Sequence, residues 1–486
     1  MPATAQAARR AAALSLAWAL LSACSRHDAV ADLPDGRWRA TLALPGGELP
    51  FAFDVAQQDG RPIAWLLNGP DRERVDEIYP AGDAIVMRMP GFENRIEAKL
   101  GGQRDELQGT LVMIKSGAKE QRIPFAARRG VNWRFFPPEG TATTAPDTTA
   151  AAATAAATTS AAGAGGAATA PAADIGGRWA VTFDDAGKLA PAVGEFTQQG
   201  TRVTGTFLTP TGDHRYLEGE LRDGELYLSK FDGGHVFLYR AKLADDGALA
   251  GTYWSGLWHS ETFVAHRDAG ANLGEAERAT RMRAGEQRLD FRFPDLGGIY
   301  VSPSDPFYRG KVVIVALAGS WCPNCHDEAA FLAPLYRRLR RRGLEVISLQ
   351  FEQFGDFERA VEATHRFRER YRIDYQTLIA GISEKDDAAA KLPQLNGVFA
   401  FPTTILIDRR GTVRHIHTGF SGPATGEHYL RLTRDLEERI GALLAEPAPA
   451  PLPLPSLAPA PAPPPAPPAT PTRDAAPLPA AATARG

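Results

Sequence analysis

Three kinds of spacing divide the chain. Between about 33 and 267, short runs alternate apolar with polar residues, as in Leu226-Tyr227-Leu228-Ser229 and Val236-Phe237-Leu238-Tyr239, and pairs such as Asp59-Gly60, Asp223-Gly224 and Asp246-Gly247 separate them. Period-two runs joined by Asp-Gly turns predict an antiparallel β-meander. From about 288 the signal changes to strand, helix, strand. The unbroken apolar run Val312–Ala318 reads as a buried strand. Phe331, Leu335 and Leu339, four apart, predict a helix over 323–342, with Gly343 as its stop. Strands follow at 344–349, 375–379, 403–407 and 413–417, and helices at 356–370 and 427–444. Such alternation is the mark of an α/β layer. Residues 139–173, almost all Ala, Thr, Gly and Pro, and 447–486, mostly Pro and Ala, carry too few large apolar groups to offset chain entropy. They read as a disordered linker and a disordered tail.

The β-rich part is duplicated. Gly36-Arg37-Trp38 recurs as Gly177-Arg178-Trp179, and Leu107-Gln108-Gly109-Thr110 as Leu249-Ala250-Gly251-Thr252. The fold class expected is therefore multidomain: two antiparallel β-meander modules, 33–130 and 175–267, ahead of an α/β domain at 288–446. Each module closes into a small barrel or sandwich, or the two pair into one; both arrangements fit the pattern. His214, His235, His259 and His266 have no spacing that dictates a metal site, and packing roles are expected for them.

The 486 residues are 44% hydrophobic and 23% charged with a formal net charge of −3. That balance gives no electrostatic footing for nucleic-acid binding. Cysteine usage is more telling, because the only cysteines are Cys24, Cys322 and Cys325. Cys24 follows Arg9-Arg10, an apolar stretch at 11–20 too short to span a bilayer, and Leu21-Ser22-Ala23. This layout resembles a bacterial lipoprotein signal, residues 1–23. The resemblance implies cleavage before Cys24 and its acylation, and Ser25 after it favours the outer membrane, with the domains in the periplasm. An ordinary secretory signal is the alternative.

Trp321-Cys322-Pro323-Asn324-Cys325 sits where the strand at 312–318 gives way to a helix. A helix N-terminus points unpaired N–H groups and the positive end of its dipole at the first sulfur, which enriches the thiolate. Cys322, nearer the helix start, is the expected nucleophile, and Cys325, one turn in, resolves the mixed disulfide. Half a zinc site is the other reading of such a pair, but only His326 stands near as a further ligand, so no metal is expected.

Taken in order, Lys311-Val312-Val313-Ile314-Val315, the Trp-Cys-Pro-Asn-Cys motif, Glu328 and Phe401-Pro402-Thr403-Thr404 resemble the thioredoxin-fold domain of the TlpA/ResA class of extracytoplasmic thiol–disulfide oxidoreductases. The resemblance implies a disulfide reductase without a cofactor, acting on periplasmic protein disulfides and recharged by a membrane thiol reductant. It makes Glu328 the acid–base partner of the thiols and Pro402 a cis-proline facing them. Trp321, Phe401 and Thr403 would then contact substrate. The helix proline usual after the motif is replaced by Ala330, with Pro334 one turn later, and His326 is expected on the exposed face. Two other functions stay in view. One is a binding lipoprotein whose β-modules do the main work. The other is a thiol peroxidase, disfavoured because Gly319 and Val315 stand where that motif requires Thr and Pro.

Overall fold

The computed structural model describes residues 33–138, 173–274 and 279–449; the signal segment with Cys24, nearly all of the 139–173 linker and the tail beyond 449 lie outside the described residues. The alternating segments form two meanders that share one ground plan. In both, the Gly-Arg-Trp strand, Gly36–Leu44 or Gly177–Asp185, pairs antiparallel with the next strand and with the last of its module. Trp38 and Trp179 face an arginine in register, Arg129 and Arg267. Each indole N–H donates to a carbonyl four residues back, Pro34 at 3.1 Å and Ile175 at 2.9 Å. The equivalent glycines, Gly36 and Gly177, have φ of 117° and 111°, which a side chain would strain, and this accounts for Gly at the head of the repeated tripeptide.

The copies then diverge. The first is an open nine-stranded sheet, its edges the strands Asp71–Val75 and Ile78–Ala81. The second closes on itself, because Arg202–Thr209 pairs with Leu217–Arg222 as well as with Lys188–Gln199, whereas its counterpart in the first, Arg61–Asn68, pairs with Asp71–Val75 instead. Phe231, Val236 and Leu238 of the closed module join the core of the open one, with the Phe51 and Phe231 ring centroids 4.6 Å apart. Asn68 spans the seam, its amide donating to the Phe231 carbonyl at 2.9 Å.

The last part has a thioredoxin-like fold. Strands β1 (Val312–Ala318), β2 (Leu344–Glu352), β3 (Gln376–Ile382), β4 (Thr403–Ile407) and β5 (Val413–Thr418) form one sheet in the order β3-β2-β1-β4-β5. The first three run parallel, and β4 and β5 are antiparallel to their neighbours. Helices α1 (Pro323–Leu339), α2 (Phe357–Tyr371), α3 (Lys385–Lys391) and α4 (Glu427–Ala445) complete it. All seven residues of β1 are buried, as befits a central strand with a core on each face. Helix α1 stops at Leu339, short of the expected 342, because Arg340–Arg342 tighten into a 3₁₀ turn before Gly343 takes a left-handed φ of 96°. The seven-residue α3 is too short to leave a periodic signal and is absent from the sequence reading.

Candidate active site

Cys322 caps the N-terminus of α1 and Cys325 lies one turn in. The two are joined as a disulfide, their Cα atoms 5.2 Å apart, and the Cys325 N–H donates to the Cys322 sulfur at 3.2 Å. Cys322 retains 4% of its exposure and Cys325 only 1%. The Phe401–Pro402 bond is cis, and the Phe401 carbonyl oxygen stands 3.3 Å from the Cys322 sulfur, where a thiol at that position would donate. Trp321 donates its indole N–H to the Phe351 carbonyl at 2.7 Å and sets its ring edge-on to Phe401. Thr403 differs: it is fully buried, its hydroxyl donates to the Ala400 carbonyl at 2.8 Å, and its side chain does not line the opening over Cys322.

Buried carboxyls flank the cysteines. Glu328 follows Cys325 by three residues on the same helix face, and the Thr404 hydroxyl donates to it. Burial without a cation pushes its carboxyl up to about 7. Glu352, at the end of β2, lies under the Gly319-Ser320 turn, accepting the Ser320 N–H at 2.9 Å and hydroxyl at 2.7 Å, and burial pushes it to about 7 as well. Sequence reading missed Glu352. Its only signal is an acid closing a strand that also carries Glu345, Ser348 and Gln350.

The opening above Cys322 is not free surface. It is a cleft of about 300 Å³ whose walls come from three bodies: Trp321, Cys322 and Phe401 below, Lys115 of the first module, and His235 and Tyr253 of the second. None of the residues lining it is Asp or Glu. Lys115 has no carboxylate partner among the described residues, and burial pushes its amine below the usual lysine range. Close approach is permitted by glycine: a Cβ on Gly234 would stand 2.6 Å from Pro323 and 2.7 Å from the Phe92 ring.

A polar joint behind the motif holds the three bodies together. Arg215 of the closed module reaches Asp232 at 2.8 Å, Asp327 of α1 at 3.0 Å and Glu73 of the open module at 3.2 Å. Arg370 of α2 also pairs with Glu73, and Lys230, fully buried, lies 3.3 Å from Asp232. Asn324, between the two cysteines, donates to the Asp213 carbonyl at 3.1 Å. Five carboxyls, Asp71, Glu73, Asp213, Asp232 and Asp327, share this joint with the cations Arg215, Lys230 and Arg370. Burial, only partly opposed by Arg215, raises Asp327 to about 7 and raises Asp213 too. Burial acts on Asp232 in the same sense, but Lys230, His235 and Arg215 outweigh it and hold Asp232 well below the usual range.

His326 is a correction. Expected on the exposed face, it is 2% exposed and stacks on Phe92 of the first module with ring centroids 4.0 Å apart. Its Nε2–H donates to the Ser320 carbonyl at 2.8 Å, which leaves Nδ1 to accept from the Tyr371 hydroxyl at 2.9 Å. Burial pushes it down to about 3, so the ring is neutral and braces the motif without charge. The helix face that solvent would occupy in an isolated domain is covered here by Phe92.

Comparison with known proteins agrees with this geometry. The AhpC/TSA family profile matches residues 284–416, leaving both β-modules outside it. The thiol-disulfide oxidoreductase ResA of Geobacillus kaustophilus is 31% identical over 140 residues, 29% of this chain and 72% of that protein. ResA of Halalkalibacterium halodurans is 28% identical over 152 residues, 31% of this chain and 78% of that protein. A solved thiol:disulfide interchange protein of the thioredoxin family from Chlorobium tepidum is 17% identical, covering 34% of this chain and 97% of its own, with a TM-score of 0.25. The chain thus belongs to the ResA thiol-disulfide oxidoreductases, its redox domain preceded by a duplicated β-module.

Proposed function

We propose that this oxidoreductase works as a reductant of periplasmic protein disulfides, held to the outer membrane by lipid on Cys24. The observation that carries the reading is the asymmetry of the pair. Cys322 alone opens on the cleft, while Cys325 is sealed, with a carboxyl near neutrality one turn beyond it. In the reduced protein the Cys322 thiolate attacks a client disulfide, and one client sulfur departs as thiolate. Glu328 takes the proton of Cys325, and that thiolate attacks the Cys322 sulfur, releasing the second client sulfur and leaving the Cys322–Cys325 disulfide. Two electrons have passed to the client. A membrane thiol reductant returns them. Trp321 and Phe401 provide the apolar floor on which the client rests, and the cis-proline Pro402 turns the Phe401 carbonyl toward the reacting sulfur.

The test is trapping. A Cys325→Ala variant, reduced and exposed to periplasmic extract, accumulates mixed disulfides through Cys322 that thiol reagents dissolve. A Cys322→Ala variant accumulates none by that route. If adducts form on Cys325 instead, the assigned roles are wrong; if the wild-type protein oxidises reduced clients faster than it reduces oxidised ones, the direction is wrong.

A further inference from the structure

The closed module surrounds an aromatic interior. Phe207 and Tyr239 stack with centroids 4.9 Å apart, Tyr239 and Tyr253 with centroids 4.7 Å apart, and Phe183 meets Tyr253 edge-on. Its mouth is a cavity of about 660 Å³, walled by Phe183, Leu189, Pro191, Tyr253, Leu273 and Phe399. Leu189 stands at this mouth 66% exposed. The cavity is not isolated from the chemistry. Thr211, Tyr253 and Lys385 line both it and the cleft over Cys322.

Among the polar groups that also line this cavity, Thr209, Thr211, His259, Glu261 and Lys385 with His214, the His214 ring lies against the aromatic wall. His214 shares a hydrogen bond between Nδ1 and the Tyr239 hydroxyl, and burial pushes the ring down to about 3, so it is neutral. Its Nε2 makes no hydrogen bond among the described residues and is open to the cavity it lines. Depending on which way the Tyr239 bond runs, Nε2 is a donor or an acceptor, and a hydroxyl satisfies either.

We propose that the mouth of the second module is a side-chain pocket for the client: an extended polypeptide segment presents its cysteine to Cys322 and places an aromatic residue, tyrosine above all, against His214. This rests on the reductase reading and names the substrate class that reading leaves open. The occupant is polypeptide because the pocket shares the walls Thr211, Tyr253 and Lys385 with the redox cleft, and a chain rising ~3.3 Å per residue can reach from one to the other. It is aromatic because Phe183 and Tyr253 offer ring faces and edges. Tyrosine exceeds phenylalanine because its hydroxyl can bond the open Nε2 of His214 inside the cavity, a contact phenylalanine cannot make.

The test uses the intact reduced protein and ten-residue peptides carrying one cysteine linked to thionitrobenzoate, with Tyr, Phe or Ala placed one to six residues away. Thionitrobenzoate release is followed, and each variant's rate is normalised to its own rate toward free dithionitrobenzoate. The expected result is a preference of about tenfold in kcat/KM for Tyr over Ala at one or two offsets, with Phe between. Leu189→Asp, at an exposed position, lowers the aromatic preference several-fold, and His214→Leu erases the difference between Tyr and Phe. Equal rates for all peptides at every offset overturn the proposal, as does a preference that survives both substitutions. Calorimetric titration with the same peptides carrying Ser for Cys separates the two readings. Tyr-dependent binding without reduction sinks the reductase reading alone, and reduction without any dependence on Tyr sinks the pocket.

Discussion

Replacing Arg215 by methionine keeps the length of the side chain and removes its charge, and the carboxylates it holds are unequally dependent on it. Asp232 keeps Lys230 at 3.3 Å and Glu73 keeps Arg370, whereas Asp327 keeps no cation among the described residues. The loss therefore falls on Asp327. Removing one partner of a buried ion pair costs about 3–5 kcal/mol. The lower figure is already about a hundredfold in the equilibrium between docked and open arrangements. The sign of the pH dependence follows from Asp327, which burial, opposed by Arg215, sets at about 7. Without Arg215 it rises further. Below pH 7 both proteins carry a largely neutral Asp327 and the penalty shrinks; above it the variant must hold a proton or bury an unpaired charge, and the penalty grows. Amide hydrogen exchange at 212–215 and 324–328, corrected for intrinsic rates, reads this opening locally. The expected outcome is a loss of protection of about a hundredfold at pH 8, smaller at pH 6, and partly restored by adding Asp327→Asn. An equal loss at both pH values, or costs of the two substitutions that add to within ~0.5 kcal/mol, refutes the reasoning.

Glu328→Gln keeps the shape and the contact with Thr404 but cannot take a proton, so resolution of the mixed disulfide slows by about a hundredfold and its inflection near pH 7 disappears in quenched-flow measurements. Lys115→Met removes the first module's cation from the cleft, and alkylation of reduced Cys322 at neutral pH slows several-fold; an unchanged rate means the amine does not act on the sulfur. Glu328 and Glu352 sit at about 7 in the folded protein against 4.5 ordinarily, so the folded state binds more protons between those values. Stability conferred on the redox domain therefore falls as pH rises from 4.5 to 7 and is level above, by about 3 kcal/mol for each glutamate. A thermal midpoint that climbs steadily from pH 5 to pH 8 contradicts this.

How far the sequence was legible depended on the distance over which each feature is encoded. The strand, thiol pair and helix at 312–339 are contiguous, and their periodicity and turn chemistry sufficed to place them. The repeat was visible in its tripeptides, but closure of the second copy rests on the pairing of Arg202–Thr209 with Leu217–Arg222, and in the first copy, with the same alternation, Arg61–Asn68 pairs with Asp71–Val75 instead. The joint was hidden because its members are far apart in the chain: Arg215 from Asp327, Phe92 from His326, Glu73 from Arg370. A trace was present in Lys230-Phe231-Asp232, where charged residues interrupt the meander at positions now fully buried. Lys115 likewise reaches the cleft from another module, about two hundred residues from the motif it faces.

Asp327 and both cysteines ride on the first turns of one helix, so the joint and the disulfide share a lever arm. By linkage, any difference in how tightly the modules grip the dithiol and the disulfide forms is added to the reduction potential, at about 30 mV for each 1.4 kcal/mol. To the extent that the grip differs, the potential of this redox pair is a property of all three bodies, and cutting the domain free of its β-modules would move it by that amount on the electron-transfer ladder.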